Sequence, residues 1–281
     1  MLFLRVTGGR GRRHARNIPD HRLTTHPLGS ILLTESDRFD LSLIPTGPAP
    51  LSQQLREGTF TAHRRAESTR FARSLAEATT PAPAYAAYLA ALGLVYDTLE
   101  DAVSRHAGHP AVGAVMDARL HRREALSRDL SAWSDHREAH EAAEAADAVR
   151  PTAAATAAQA HRAGQAYASR LAHIADEEPL LLVAHHYVRY LGDLAGGQVV
   201  ASAWRRRGRR AGLDLYAFDD LASATTQGGA SLVPYVRGYR AALDSIALEP
   251  RQASALVAEA VTAFELSTAV FEALEPLVPA G

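Results

Sequence analysis

Residues 182–198 read Leu182-Val-Ala-His-His-Tyr-Val-Arg-Tyr-Leu-Gly-Asp-Leu-Ala-Gly-Gly-Gln198. Apolar residues three and four apart make this stretch helical, and it sits within a longer helical segment expected over roughly 178–207. Gly192, Gly196 and Gly197 interrupt it, and each should cost on the order of 1 kcal/mol relative to alanine in a helix interior. Something must offset that cost. Gly192 and Gly196 are four apart and share one helical face, which leaves a flat backbone surface that a large planar ligand or another helix can approach closely. Helix packing is the ordinary use of such a pair. Asp193 favours the ligand, because an acid beside a glycine face packs helices poorly but holds water near a reactive centre well.

The segments around it follow the same period. From Leu51 onward the chain is rich in alanine and leucine, with little of the alternation that marks half-buried strands. Helices are expected over roughly 52–66, 68–78, 83–105, 110–133, 151–175, 178–207, 231–247 and 250–275. Pro83, Pro179 and Pro250 suit first helical turns, and Gly208 suits a left-handed C-cap. Glu138 to Ala148 reads equally as a solvated helix or a loop. The fold class is therefore all-α, with a single helical domain over 51–278 behind a Pro/Gly-rich basic tail over 1–50. The first thirty residues carry six arginines against the single acid Asp20. They could form a transit peptide, a basic arm, a plain flexible extension or a start placed too far upstream.

Composition narrows the function classes. Hydrophobic residues are 47% and charged residues 22%, enough to bury a sizeable core. Thirty basic residues balance 31 acidic ones, so no net field favours nucleic acid or an anionic membrane. The absence of cysteine excludes disulfide scaffolds, thiolate metal sites and cysteine nucleophiles, and suits a reducing, cytoplasmic setting. No apolar run reaches the ~20 residues that cross a bilayer, so a soluble chain is expected. Lysine is absent, and every cationic side-chain role falls to arginine or histidine.

His63 and Glu67 lie one turn apart on the first helix of the domain. An imidazole that ligates iron through one nitrogen needs its other N–H oriented by an acceptor, and a carboxylate at this spacing can supply that directly or through water. An ordinary solvated i,i+4 pair has the same pattern, and the chain holds 13 histidines.

Leu51-Ser-Gln-Gln-Leu-Arg-Glu-Gly-Thr-Phe-Thr-Ala-His-Arg-Arg-Ala-Glu67, Tyr96-Asp-Thr-Leu-Glu100 and the 182–198 stretch resemble, in order and spacing, the biliverdin-producing heme oxygenases of soluble, bacterial type. The resemblance runs from about Leu51 to Leu277. It implies a helical fold with a distal helix kinked over heme, and oxidative cleavage of heme by O2 and electrons to biliverdin, CO and Fe2+. Heme would be both substrate and cofactor. The resemblance makes His63 the proximal iron ligand, with Glu67 as its orienting partner. It puts Gly192 and Gly196 against the porphyrin, and Asp193, Arg189 and Tyr96 in the distal hydrogen-bond network. Arg56, Tyr187 and Arg240 match positions near the propionates, and Phe264 matches an apolar wall. The partner implied is an electron donor such as a ferredoxin or a flavoprotein reductase.

Departures from the family pattern are specific. Phe60 and Val236 stand where better-known members carry lysines, Ser267 replaces a pocket asparagine, and Ala195 replaces a common serine. Arg56 and Arg240 must then carry more of the propionate anchoring. A heme-binding or heme-transfer protein would keep His63 without needing Asp193. A non-heme helical relative of thiaminase-like or quinone-cofactor-forming type would lack the histidine and glycine face together. His185 reads as structural or solvated, and His186 and His121 have no partner at ligand spacing. Trp204-Arg-Arg-Arg-Gly-Arg-Arg210 complements a helix C-terminus or forms a patch that steers an acidic electron donor.

Overall fold

In this computed structural model the described residues are 49–143, 150–224 and 230–279. The tail over 1–50 thus lies outside them apart from Ala49 and Pro50, and so do residues 144–148 of the ambiguous stretch, whose first six residues are helical. The helices are α1 (Leu51–Gly58), α2 (Phe60–Ser68), α3 (Arg70–Glu77), α4 (Ala82–Arg105), α5 (Pro110–Val115) and α6 (Arg123–Ala143). They continue with α7 (Arg150–Glu177), α8 (Leu182–Gly192), α9 (Gln198–Arg206), α10 (Val233–Asp244) and α11 (Pro250–Leu274). The one pairing of strands among the described residues joins Ser223–Ala224 to Ala230–Ser231. The all-α class is as the sequence implies.

Three expected helices are divided, each for a local reason. The 52–66 segment breaks at Thr59, whose hydroxyl donates to the Leu55 carbonyl at 2.7 Å. A Cβ on Gly58 would stand 2.3 Å from Val257 Cγ1, so the junction of α1 and α2 meets α11 where only glycine fits. The 110–133 segment breaks where Asp117 accepts from the Arg119 backbone N–H at 3.0 Å, a turn that competes with the helix. The 178–207 segment contains a π-helical turn, Asp193–Gly197, between α8 and α9. Such a turn is a known cause of helix kinks and is frequent at functional sites. As expected, Gly208 ends α9 in the left-handed region at φ 91°.

α4 lies between α6 and α7, while α11 packs against α7, α8, α2 and α1. By length and composition α11 and its short extension, Pro250–Leu277, are apolar enough to cross a bilayer. Leu256, Ala260, Ala263, Val270 and Leu274 are buried in the core, which accounts for part of that apolar character. A capping box between Glu249 and Gln252 starts the helix. The helical frame therefore sets α2 and α8 on a shared support, α11, and presents the π turn beside it.

Candidate active site

α2 supplies His63. Its Nε2 lies 3.6 Å from Glu67 Oε1, a distance for a loose ion pair or a water bridge. The His63 ring meets Phe264 of α11 edge-on, centroids 5.2 Å apart. Phe60, one turn earlier on the same face, is 50% exposed, a large apolar surface beside an accessible imidazole. His63, Glu67 and Phe264 are thus brought together.

Tyr187 of α8 joins that side to the next helix. Burial pushes its phenol up, and the Thr59 hydroxyl and then the Arg240 and Arg56 guanidinium groups oppose the shift. Arg56 and Arg240 are exposed and belong to α1 and α10, yet both act on this one phenol. Two of the residues expected to meet acidic groups thus act electrostatically on the third. Val236 is half-buried against the core, so it leaves the anchoring of an anion to the arginines.

The π turn carries the polar part of the site. Asp193 is buried and accepts from the Tyr96 hydroxyl, while Arg189 Nη2 stands 3.6 Å from its other oxygen. Arg189 also directs Nε toward the Tyr96 hydroxyl at 3.4 Å. Burial raises the Asp193 carboxyl, and Arg189 and Tyr96 pull it back. A buried carboxylate next to a guanidinium and a phenol can hold and orient protons, provided every lone pair is satisfied.

The glycines divide into two kinds. A Cβ on Gly197 would lie 2.5 Å from Tyr216 Cδ1, so that glycine serves packing. Gly192 and Gly196 are exposed, and a Cβ on either would meet nothing within 4 Å. Their helix cost is therefore not offset by contacts among the described residues. Gly192→Ala should raise the stability of the ligand-free protein by about 0.5–1 kcal/mol, since its backbone is ordinary helix. The same change should weaken binding of a planar ligand, and thermal melts with and without ligand read the two opposite effects.

Several members of this neighbourhood escaped the sequence reading. Tyr88 and Tyr167 both face Arg189 electrostatically. Tyr190 donates toward Glu100 Oε1 at 3.4 Å, and Glu100 also accepts the Arg122 backbone N–H. Glu259 of α11 joins them through His185 and Arg170. His185 is structural as expected, buried between Tyr167 and Glu259. Among the described residues no group of three or more His, Asp or Glu side chains could hold a bare metal ion. The single imidazole His63, the open glycine face, the exposed Phe60 and the paired arginines instead suit a flat, apolar, acid-edged ligand that brings its own metal coordination.

A family model described as heme oxygenase matches residues 49–160 and 152–273. Heme oxygenase of Porphyra purpurea is 31% identical over 227 residues, 80% of this chain and 86% of that protein. Heme oxygenase 1 of Nostoc is 30% identical over 230 residues, 80% of this chain and 86% of its own length. The crystal structure of heme oxygenase-1 from Synechocystis in complex with heme superposes with a TM-score of 0.65 at 28% identity, covering 81% of this chain and 93% of that one.

Proposed function

The chain belongs to the heme oxygenase family, and on that premise we propose how its residues share the work of opening heme to biliverdin, CO and Fe2+. Heme, when bound, supplies the oxygen-binding iron and the ring that is cleaved. His63 would hold the iron through a ring nitrogen, Glu67 would orient the imidazole, and the edge contact with Phe264 would fix its tilt. Gly192 and Gly196 let backbone approach the ring and exclude bulk above it. Asp193 holds the distal hydrogen bonds, with Tyr96 donating to it and Arg189 balancing its charge. Arg240, Arg56 and Tyr187 take the propionates.

One observation carries this reading: a buried Asp193–Tyr96–Arg189 cluster directly beside two exposed glycines that nothing packs. A heme carrier needs the pocket but has no use for the cluster. Hemin added to the purified protein should give a Soret band. That band should decay into a biliverdin spectrum once a reductant and O2 are supplied. A stable Soret band under those conditions would reduce the protein to a heme binder.

The electrons come from an external donor such as a ferredoxin or a flavoprotein reductase. Arg205, Arg206, Arg207 and Arg210 are exposed at the end of α9, the continuation of the distal helix. A cationic patch there suits an acidic donor and makes its association fall with salt.

Phe60 and Val236 leave the propionates to Arg240, with Arg56 and Tyr187 as weaker supports. A charge-assisted hydrogen bond is worth roughly 1.5–3 kcal/mol before solvent screening, enough for its loss to admit a second in-plane orientation. The parent should make mainly the α isomer of biliverdin, and Arg240→Ala a mixture with δ at similar turnover. Product chromatography decides it. A mutant that keeps the parent isomer would shift the anchoring role to apolar contacts such as those of Phe60.

A further inference from the structure

Arg170 and Tyr167 of α7, His185 of α8 and Glu259 of α11 form a hydrogen-bonded row that none of the roles above uses. Arg170 donates from Nε to Glu259 Oε1 at 2.9 Å and from Nη2 to Oε2 at 2.5 Å. His185 is fully buried, with Nε2 2.8 Å from Glu259 Oε1 and Nδ1 3.2 Å from the Tyr167 hydroxyl.

Proton positions along the row follow in order. Burial alone would raise the Glu259 carboxyl, but the bonds from His185 and Arg170 outweigh it and hold it at about 2. Glu259 is therefore ionised and accepts only. His185 Nε2 must carry the proton that Glu259 accepts. Burial pushes His185 below the usual imidazole range, so the ring is neutral and Nδ1 is an acceptor. The Tyr167 O–H then has to donate to Nδ1, and burial keeps that phenol protonated. Tyr167 also interacts with the Ser267 hydroxyl and lies within the electrostatic reach of Arg189 and Asp193.

We propose that Arg170, Glu259 and His185 are positioning residues that fix the hydrogen-bond polarity of Tyr167, so that its oxygen is an acceptor only toward every neighbour other than His185. Donors on the distal side, water included, must give a proton to Tyr167 and cannot take one from it. The functional consequence rests on the heme oxygenase reading; the tautomer of His185 does not.

Nitrogen-15 NMR of the heme-free full chain reads that tautomer. His185 should be protonated at Nε2 and bare at Nδ1 at neutral pH. Glu259→Leu leaves Arg170, an obligatory donor, opposite Nε2, so the proton should move to Nδ1 and the Tyr167 proton should turn to the distal side. Should Glu259→Leu fold poorly, Arg170→Met changes a side chain that is 34% exposed. There Nδ1 should gain a proton as pH falls, because Glu259 has lost its bidentate partner. A proton on Nδ1 in the parent, or no change in either variant, overturns the proposal.

The heme complex supplies the second readout, the midpoint of its ferric acid–alkaline optical transition. An acceptor phenol favours the protonated form of the distal ligand, so Glu259→Leu should lower the midpoint by about half a pH unit or more. In a Tyr167→Phe background that shift should vanish. Equal shifts in both backgrounds mean that Glu259 acts by another route, and the proposal falls. A protein with the expected tautomer that binds no hemin counts against the proposed function and leaves the row intact.

Discussion

His63→Ala is expected to bring ring opening nearly to a halt while the protein stays folded and still takes up heme. The side chain is 43% exposed and makes only a 3.6 Å approach to Glu67 and an edge contact with Phe264, so its removal costs little stability. Its loss as a ligand is another matter. Changing the group that orients a metal-bound histidine commonly costs 10–100-fold, and loss of the histidine itself should exceed about 100-fold in turnover. The space left beside Phe264 should admit free imidazole and restore part of the activity. Unchanged heme spectra and unchanged turnover in the alanine variant would remove His63 from the proximal position.

Asp193→Asn should redirect the chemistry and not simply slow it. The asparagine oxygen can still accept from Tyr96, whereas alanine would leave the Tyr96 proton without this acceptor and the buried Arg189 without its nearby carboxylate. Neither replacement can hold the negative charge that balances Arg189. Biliverdin yield should drop by about 100-fold or more, within the span that a positioned proton-transfer group commonly contributes. Peroxide-driven oxidation of an added reductant should rise in its place. Heme affinity should change little, because Asp193 faces Tyr96 and Arg189. Equal biliverdin yield with no gain in peroxidase turnover would exclude the carboxylate from the reaction.

Much of this was legible along the chain, because helices repeat their apolar residues within four positions. That local rule recovers α3, α4, α7, α10 and α11 to within a few residues. It overruns where a single residue redirects the backbone, as Thr59 and Asp117 do. It also cannot sort the glycines. Gly197 meets Tyr216 from a 3₁₀ turn, Asp214–Tyr216, that no periodicity announces, while Gly192 and Gly196 meet nothing. Local spacing likewise brings out pairs such as His63 with Glu67 or Arg189 with Asp193, each one turn apart. The partners that came from other helices, Tyr88, Tyr167 and Glu259, depend on how α4, α7 and α11 are stacked, which short-range spacing does not encode.

The π turn has a consequence for what changes in length the distal helix can absorb. It accommodates one residue more than a regular α-turn, so it behaves as a permanent insertion in an otherwise regular helix. Deleting Ala195, an exposed position within it, would let α8 and α9 fuse into an uninterrupted helix. One residue of a regular α-helix subtends about 100°. The widened turn takes up that angle itself, so α8 and α9 keep the phase of one continuous helix although an extra residue stands between them. Asp193 beside Tyr96 and Trp204 among Tyr85 and Trp133 therefore hold their places on either side of it. A deletion of the same size in the regular part of α8 has no such slack and would turn Asp193 away from Tyr96 by the full angle.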